Sequence, residues 1–244
     1  MISNAEIKRI KSLQTKKFRD ESRLFVVEGE KMVAEAMESD FVVEAVYRRD
    51  EIGEQAMSRI SSLSSPSPVL AVLRQAADPG PDGIRSLVQS AGRDMLAIAL
   101  DEIRDPGNLG TIIRLADWYG IDAIFCSRGT VELYNPKVVQ STMGAIFRKK
   151  VIYCDLAQVF DIFDSNGLPI YGTFLEGENI YSSELTAGGL IVMGNEANGI
   201  SAELRRRINS KLFIPPFPGG RKTAESLNVA IATAITVSEF RRRR

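Results

Sequence analysis

Histidine is absent from the 244 residues. That excludes a Ser-His-Asp triad, a Cys-His pair and a histidine-based zinc site. Acid–base work is left to carboxylate, lysine, tyrosine, arginine, the substrate or water. Cysteine occurs only as Cys126 and Cys154, so the expectation is two buried thiols in or beside strands, with no disulfide framework. No apolar run approaches the roughly 18 residues that span a bilayer. The opening stretch, MISNAEIKRIKSLQTKK, lacks the apolar core of a signal peptide. The expected protein is therefore cytoplasmic, with no membrane partner. Also missing are a G-x-G-x-x-G after the first strand of the second half and any P-loop lysine pattern. Net charge is lacking too, with 31 Lys and Arg balancing 31 Asp and Glu, so the chain as a whole is not a basic nucleic-acid binder.

What charge there is gathers locally. Lys8, Arg9, Lys11, Lys16, Lys17, Arg19 and Arg23 crowd the N-terminus, Arg205 to Arg207 form a second cluster, and Arg241 to Arg244 a third. Local basic patches on a neutral protein suit a polyanion bound at chosen faces; solvated helix faces are the plainer account of each cluster taken singly.

Strand and helix signals alternate throughout. Ile7, Ile10 and Leu13 predict a helix over 3–15. Strands at 23–27, 41–47 and 69–73, with helices near 30–38 and 53–62, make a small α/β domain over 1–76. The run Ala77-Asp78-Pro79-Gly80-Pro81-Asp82-Gly83 reads as a linker or a loop beside one, with the linker taken as 77–93. The second domain, 94–244, opens with the apolar strand Met95–Leu100, of the kind buried in a parallel sheet. Helix 109–119, strand 121–126, helix 136–147, strand 151–153, helix 155–165, strands 168–174 and 190–194, helix 201–209, strand 211–215 and a helix from about 225 follow. The predicted class is α/β, with a mostly parallel sheet covered on both faces.

The polar and glycine content concentrates late. One apolar run ends in Gly194-Asn195-Glu196, another in Ile214-Pro215-Pro216, and Glu225-Ser226-Leu227-Asn228 opens an apolar helix. Two strand ends and a helix start of this composition describe a ligand pocket at one sheet edge. Made of backbone groups, it suits an adenine-bearing ligand without a pyrophosphate. Earlier, Asp105-Pro106-Gly107-Asn108-Leu109-Gly110 lies between a strand and a helix. Asn108 can cap that helix, and Arg114 falls outside its Leu109/Ile112/Ile113/Ala116 face. A capped helix with a surface arginine and a phosphate or ribose clamp are both open readings of these residues.

Taken together, Asn108-x-Gly110-x-x-x-Arg114, Gly194-Asn195-Glu196 with Asn198-Gly199, and Ile214-Pro215 … Ser226-Leu227-Asn228 resemble the three signature motifs of the SpoU-type RNA 2′-O-ribose methyltransferases of the SPOUT class. Asn135 to Val139 and Met143-Gly144-Ala145 resemble the intervening segment. Arg23 to Gly29 resembles the start of the ribosomal-protein-like substrate domain often fused to it. The resemblance covers roughly residues 5–240. It implies a deep C-terminal trefoil knot, S-adenosylmethionine as methyl donor, no metal, a homodimer, and RNA as partner, ribosomal rather than transfer RNA because of the N-terminal domain. It places Gly194, Ile214 and Leu227 at the cofactor, with Thr173, Ser226 and Asn228. Glu196 joins Asn108 and Arg114 on the catalytic side, and Arg114 is brought near the other subunit's cofactor. In the family the matching arginine is offered as the base. A guanidinium keeps its proton at neutral pH, so Arg114 is read as binding the target phosphate and orienting the hydroxyl. Two features depart from the pattern: the 216–225 loop is longer, which leaves open a change in cofactor affinity or a placing of Arg221 and Lys222 toward RNA, and Ala230 replaces a serine.

Overall fold

A computed structural model of the chain describes residues 2–219 and 224–243. It separates into two compact units, Met1–Ala77 with Glu132–Arg148, and Asp78–Val131 with Lys149–Arg244. In the first unit α1 (Asn4–Ser12) is capped by Ser3, whose Oγ accepts the Glu6 N–H at 3.1 Å, and it buries Ile7 and Ile10. Next come α2 (Lys16–Ser22), β1 (Leu24–Glu28), α3 (Glu30–Met37), β2 (Val43–Arg48), α4 (Arg49–Ile52), α5 (Glu54–Ile60) and β3 (Val69–Arg74). The strands form an antiparallel sheet in the order β1-β3-β2. Helix α2 is unforeseen, because it has no apolar stripe. Its one buried residue is Arg19, 2% exposed. Arg19 donates to Glu132 twice, from Nε at 2.9 Å and Nη2 at 2.6 Å, and to the Leu13 carbonyl at 2.7 Å.

The expected linker contains a helix, α6 (Gly80–Ala91), whose Ile84 and Val88 are buried in the core of the second unit. The misreading has a physical cause: its Pro and Gly residues fall in the first turn, where a missing N–H goes unnoticed. Then follow β4 (Leu96–Leu100), α7 (Pro106–Trp118), β5 (Ala123–Cys126), α8 (Pro136–Thr142), β6 (Val151–Tyr153), α9 (Leu156–Ser165), β7 (Ile170–Phe174), β8 (Glu178–Asn179), β9 (Gly189–Met193), α10 (Ala202–Arg205), β10 (Ser210–Phe213) and α11 (Val229–Arg242). Helix α8 groups with the first unit. It is shorter than predicted. Met143 and Gly144 take φ of 51° and 95°, which ends the α-helix there. A Cβ on Gly144 would also lie 1.9 Å from Oε2 of Glu35, so that carboxylate would have to swing aside.

The seven-stranded sheet runs β6-β5-β4-β9-β7-β10-β8, and every pairing is parallel. The predicted α/β class and parallel sheet are thus what the chain forms. LAIAL of β4 and GLIVM of β9 are buried at every residue, as a central parallel strand requires. From β4 the chain goes outward through β5 and β6, then returns to build β7, β9 and β10 on the other side. The strand order therefore reverses beside β4, and ligands of open α/β sheets bind at the carboxyl ends of strands at such a point.

Candidate active site

The carboxyl ends of β4, β9, β7 and β10 lie side by side, and the late motif residues fall on that edge. Gly194 directly follows β9, Thr173 is the penultimate residue of β7, and Ile214 directly follows β10. After Gly194 the chain makes a closed loop. Asn195 and Gly199 exchange two backbone hydrogen bonds, 3.0 and 2.8 Å. The Asn195 carboxamide accepts from the N–H groups of Ala197 and Asn198 at 2.9 and 3.0 Å, and donates to the Glu102 carbonyl at 2.8 Å. The glycines are explained by this closure. Gly199 has φ 67°, and a Cβ on Gly194 would stand 2.3 Å from the backbone of Gly199 and Ile200. Asp101, at the end of β4, fastens the far side by accepting the Ser201 N–H at 2.8 Å. Neither Asp101 nor the fastening role of Asn195 emerges from sequence, although an Asn within a glycine-rich turn is the usual signal of a side chain bonding its own loop.

Helix α7 starts three residues earlier than predicted. Its cap is Asp105, not Asn108. Asp105 Oδ1 accepts the Asn108 N–H at 2.8 Å, and Pro106 fills the first turn. The Asn108 side chain is thereby free for another task. Its Nδ2 donates to Glu196 Oε1 at 2.7 Å, and its Oδ1 accepts from Asn228 Nδ2 at 2.9 Å. Asn228 is in turn the cap of α11, accepting from Ala230 and Ile231 N–H at 2.9 and 3.3 Å. That helix begins at Val229, so Ser226 and Leu227 precede it, contrary to the start expected near 225. One chain of side-chain bonds, Glu196–Asn108–Asn228, thus joins the three motif segments. Because both ends of the Asn108 amide are used, a substitution at any of the three disturbs the other two.

Arg114 is not part of this network. It sits exposed on α7, six residues from Asn108 and so about 120° round the helix at ~100° per residue. Ser226 is also exposed. Ile214 is half-buried and Leu227 half-exposed, giving apolar surface beside backbone groups that have left the strand ladders. The Thr173 hydroxyl has only long contacts, 3.5 Å to the Val192 carbonyl and 3.5 Å to Met193 Sδ, so its hydrogen-bonding capacity is largely unspent. Arg221, Lys222 and Arg244 lie outside the described residues.

Cys126 and Cys154 are both buried free thiols. Burial pushes both upward, Cys154 to about 12, so neither supplies a thiolate nucleophile. A groove of about 450 Å³ in the first unit, at Glu30, Arg48, Arg49, Asp50 and Glu54, mixes both signs of charge and holds none of the motif residues. Among the described residues no helix is long and apolar enough to cross a membrane, and no group of three or more His, Cys, Asp or Glu stands ready for a metal ion.

Comparison with known proteins gives this edge a context. Residues 95–238 match the SpoU rRNA Methylase family, and residues 4–76 match the MRM3-like substrate binding domain. The chain is 32% identical to the 23S rRNA (guanosine(2553)-2′-O)-methyltransferase RlmP of Bacillus subtilis (strain 168), over 98% of this chain and 96% of that protein. Among solved structures, a TrmH-family protein from Porphyromonas gingivalis superposes with a TM-score of 0.88 at 34% identity, covering 100% of both chains. The AdoMet-bound rRNA methyltransferase from Sinorhizobium meliloti superposes with a TM-score of 0.87 at 30% identity, covering 100% of this chain and 96% of that one. With the model of one family matched over the whole parallel-sheet domain and a full-length relative at this identity, the chain belongs to the SpoU rRNA methylase family.

Proposed function

We propose that this protein transfers a methyl group from S-adenosylmethionine to a ribose 2′-hydroxyl in ribosomal RNA. The observation that carries the reading is the Glu196–Asn108–Asn228 chain of hydrogen bonds, which gathers the three motif segments at the strand edge. The full-length likeness to a 23S rRNA 2′-O-methyltransferase supports ribosomal RNA as the substrate class.

The residues at the edge fit S-adenosylmethionine. Ile214 and Leu227 offer apolar surface for an adenine ring, the segments at 194 and 214 offer backbone donors and acceptors beyond their strand ladders, and the Thr173 hydroxyl has spare capacity. Ser226 and Asn228 complete the set. When bound, this co-substrate supplies an electrophilic methyl group on a sulfonium. The chain's own part is positional. Asn108, locked between Glu196 and Asn228, ties the first turn of α7 to the other two motif segments and so fixes where the acceptor ribose is received. Arg114 binds the phosphate beside that ribose with its planar fork and keeps its own proton. The hydroxyl proton leaves to phosphate or water. Alignment of this kind is worth up to about 7–11 kcal/mol in the limiting case.

Arg114 stands apart from its own chain's network, and Trp118 (85% exposed), Ile231 (51%) and Leu227 (49%) leave apolar surface on α7 and at the start of α11. Both facts support a homodimer in which Arg114 serves the partner's site. Insertion of β9 between β4 and β7, with β10 and α11 added afterwards, supports the trefoil knot in the same segment. The test is transfer of labelled methyl from S-adenosylmethionine into deproteinised 23S ribosomal RNA, with transfer RNA alongside. A single 2′-O-methylated nucleotide in the ribosomal RNA is expected. No incorporation by protein that binds the donor would overturn the enzymatic reading, and incorporation into transfer RNA alone would overturn the substrate class.

A further inference from the structure

We propose that Arg205 and Lys211, both seated against the ring of Phe174, form a clamp for RNA backbone phosphates. The clamp is separate from Asn108, Arg114 and the donor cradle, and rests on the reading of the protein as an RNA methyltransferase.

The platform is built by the sheet. Parallel pairing sets Lys211 opposite Gly172 and Phe213 opposite Phe174. Residues two apart on a strand share a face, so Gly172, Phe174 and Lys211 line one face of β7 and β10. Gly172 gives the ring its place: a Cβ there would lie 2.8 Å from Cε2 of Phe174 and 2.5 Å from Cδ1 of Ile208. Phe174 and Ile208 pack against the buried core of the unit, so the ring is anchored. Around it stand two cations. The guanidinium carbon of Arg205 is 5.1 Å from the ring centroid, and Nζ of Lys211 is 5.7 Å from it.

A ring face attracts a cation through its quadrupole but carries no net charge. It therefore orients the two side chains without neutralising either. Among the described residues neither makes an ion pair, and both are exposed. Arg207, two residues along, gives the contrast. It too lies over a ring, Phe160 at 5.4 Å, but it also donates to Asp161 at 2.5 Å, lies 3.7 Å from Asp164 and donates to the Ala157 carbonyl at 3.0 Å. One arginine is neutralised and pinned to α9; the other is left positive. Two like charges held beside one anchored ring form a site for an anion with spaced charges, which is what a phosphodiester backbone presents. Arg205 lies on the helix that follows the 194–199 loop and Lys211 on the strand that leads to Ile214, so in sequence the clamp lies between two segments of the candidate active site.

The test is the double variant Arg205→Ala/Lys211→Ala, measured by filter binding to in-vitro transcribed 23S ribosomal RNA over a range of salt. Affinity is expected to fall about tenfold, with the log–log salt slope shallower by about 1.5, since each phosphate contact contributes about 0.7–0.9. S-adenosylmethionine affinity by calorimetry and the melting temperature stay at wild-type values, and KM for RNA rises with little change in kcat. Phe174→Leu keeps both charges and removes their platform; a loss of about threefold is expected, and it carries the test with Arg205→Ala should the double variant not fold. A folded variant with unchanged RNA affinity and salt slope would overturn the clamp. So would a fall in S-adenosylmethionine affinity with RNA binding intact, which would assign the pair to the donor. Wild-type protein that binds RNA through this pair yet transfers no methyl group would sink the enzymatic reading and leave the clamp standing.

Discussion

Two basic stretches that look alike in sequence differ sharply once folded. In α1 and α2 the cations are matched to carboxylates: Arg9 to Glu6 at 2.6 Å, Lys16 to Asp20 at 2.5 Å, Lys17 to Glu21 at 4.0 Å and Arg19 to Glu132 at 2.6 Å. Lys8 and Lys11 are left over. In α10 and β10, Arg205 and Lys211 have only an aromatic ring. The C-terminal arginines resemble the first case. Arg241 donates to the carbonyls of Tyr119 and Gly120 at 2.7 and 2.6 Å, and Arg242 and Arg243 both donate to Glu239. A run of arginine is thus no measure of surface potential. Cations with carboxylates are neutralised where they stand, and cations without them remain available to an anion.

The hardest blow to the first class is Glu132→Ala. It leaves the Arg19 guanidinium buried with one carbonyl partner, and removing one member of a buried pair typically costs about 3–5 kcal/mol. Urea denaturation of the variant is expected to show a loss of that size. Replacing both residues, Arg19→Met with Glu132→Leu, is expected to recover most of it, because no charge is then stranded. Loss from the double variant as large as from the single one would mean that the pair is needed for more than neutralisation.

For the second class the largest effect belongs to Arg114→Lys. A point charge cannot replace a planar fork, and loss of a positioned donor of this kind lowers turnover by roughly 10²-fold or more. The melting temperature is expected to stay put, since Arg114 is exposed and outside the Glu196–Asn108–Asn228 network. Near-wild-type methyl transfer would remove the clamp role from Arg114. A large fall in melting temperature would move it into the structural class.

How far this division can be read from sequence depends on the range of the interaction. The apolar strands β4 and β9 and the polar segments after them are legible, because burial on both faces and loop closure leave their mark within a few residues. Asn108, Glu196 and Asn228 are legible only as members of the resembling motifs. That they form one chain of bonds is not, since the partners are separated by 88 and 120 residues. Helix α2 is missed for the same reason: its anchor, Glu132, lies 113 residues away. Helix α6 is hidden by a Pro-Gly first turn that reads as a linker. The cap at Asp105 is mistaken for Asn108 because both residue types serve as caps and only the backbone bond distinguishes them. Arg205 and Arg207 look equivalent in sequence, and only the position of Asp161 on a different helix separates them.

The C-terminal cluster sharpens the comparison through pH. Hydrogen bonds from Arg242, then Arg243, hold the Glu239 carboxyl at about 2, well below the usual carboxylate range. A carboxyl whose folded value is depressed contributes stability that is full above its unfolded value and is lost as pH falls toward the folded one. The contribution is therefore present at neutral pH and lost between about 4.5 and 2. Arg243 also donates to the carbonyls of Ile180 and Tyr181, at 2.9 Å each, so the loosening is expected to free the 180–183 segment. Hydrogen exchange there should rise on acidification in the wild type and be already raised at neutral pH in Glu239→Gln. A wild-type pattern in the variant would mean that Arg243 holds the segment without help from Glu239.

The smallest expected effect does most to decide the matter. Lys17 and Glu21 are both well exposed, at 74% and 58% of the side chain, and stand 4.0 Å apart. Such a pair contributes little, typically 0.2–1 kcal/mol and often nothing measurable. Its mutual neutralisation also removes Lys17 from the field an RNA would feel. Lys17→Ala is therefore expected to change neither stability nor RNA affinity beyond experimental scatter, although the same substitution in an unpaired cation would weaken binding and flatten the salt slope by about 1. If Lys17→Ala did flatten that slope, the exposed pair would have to open on RNA, with Glu21 giving up its lysine to a phosphate. Pairing in the free protein would then no longer separate structural cations from binding ones, and burial would become the dividing line, with Arg19 on one side and every exposed pair of α1 and α2 on the other.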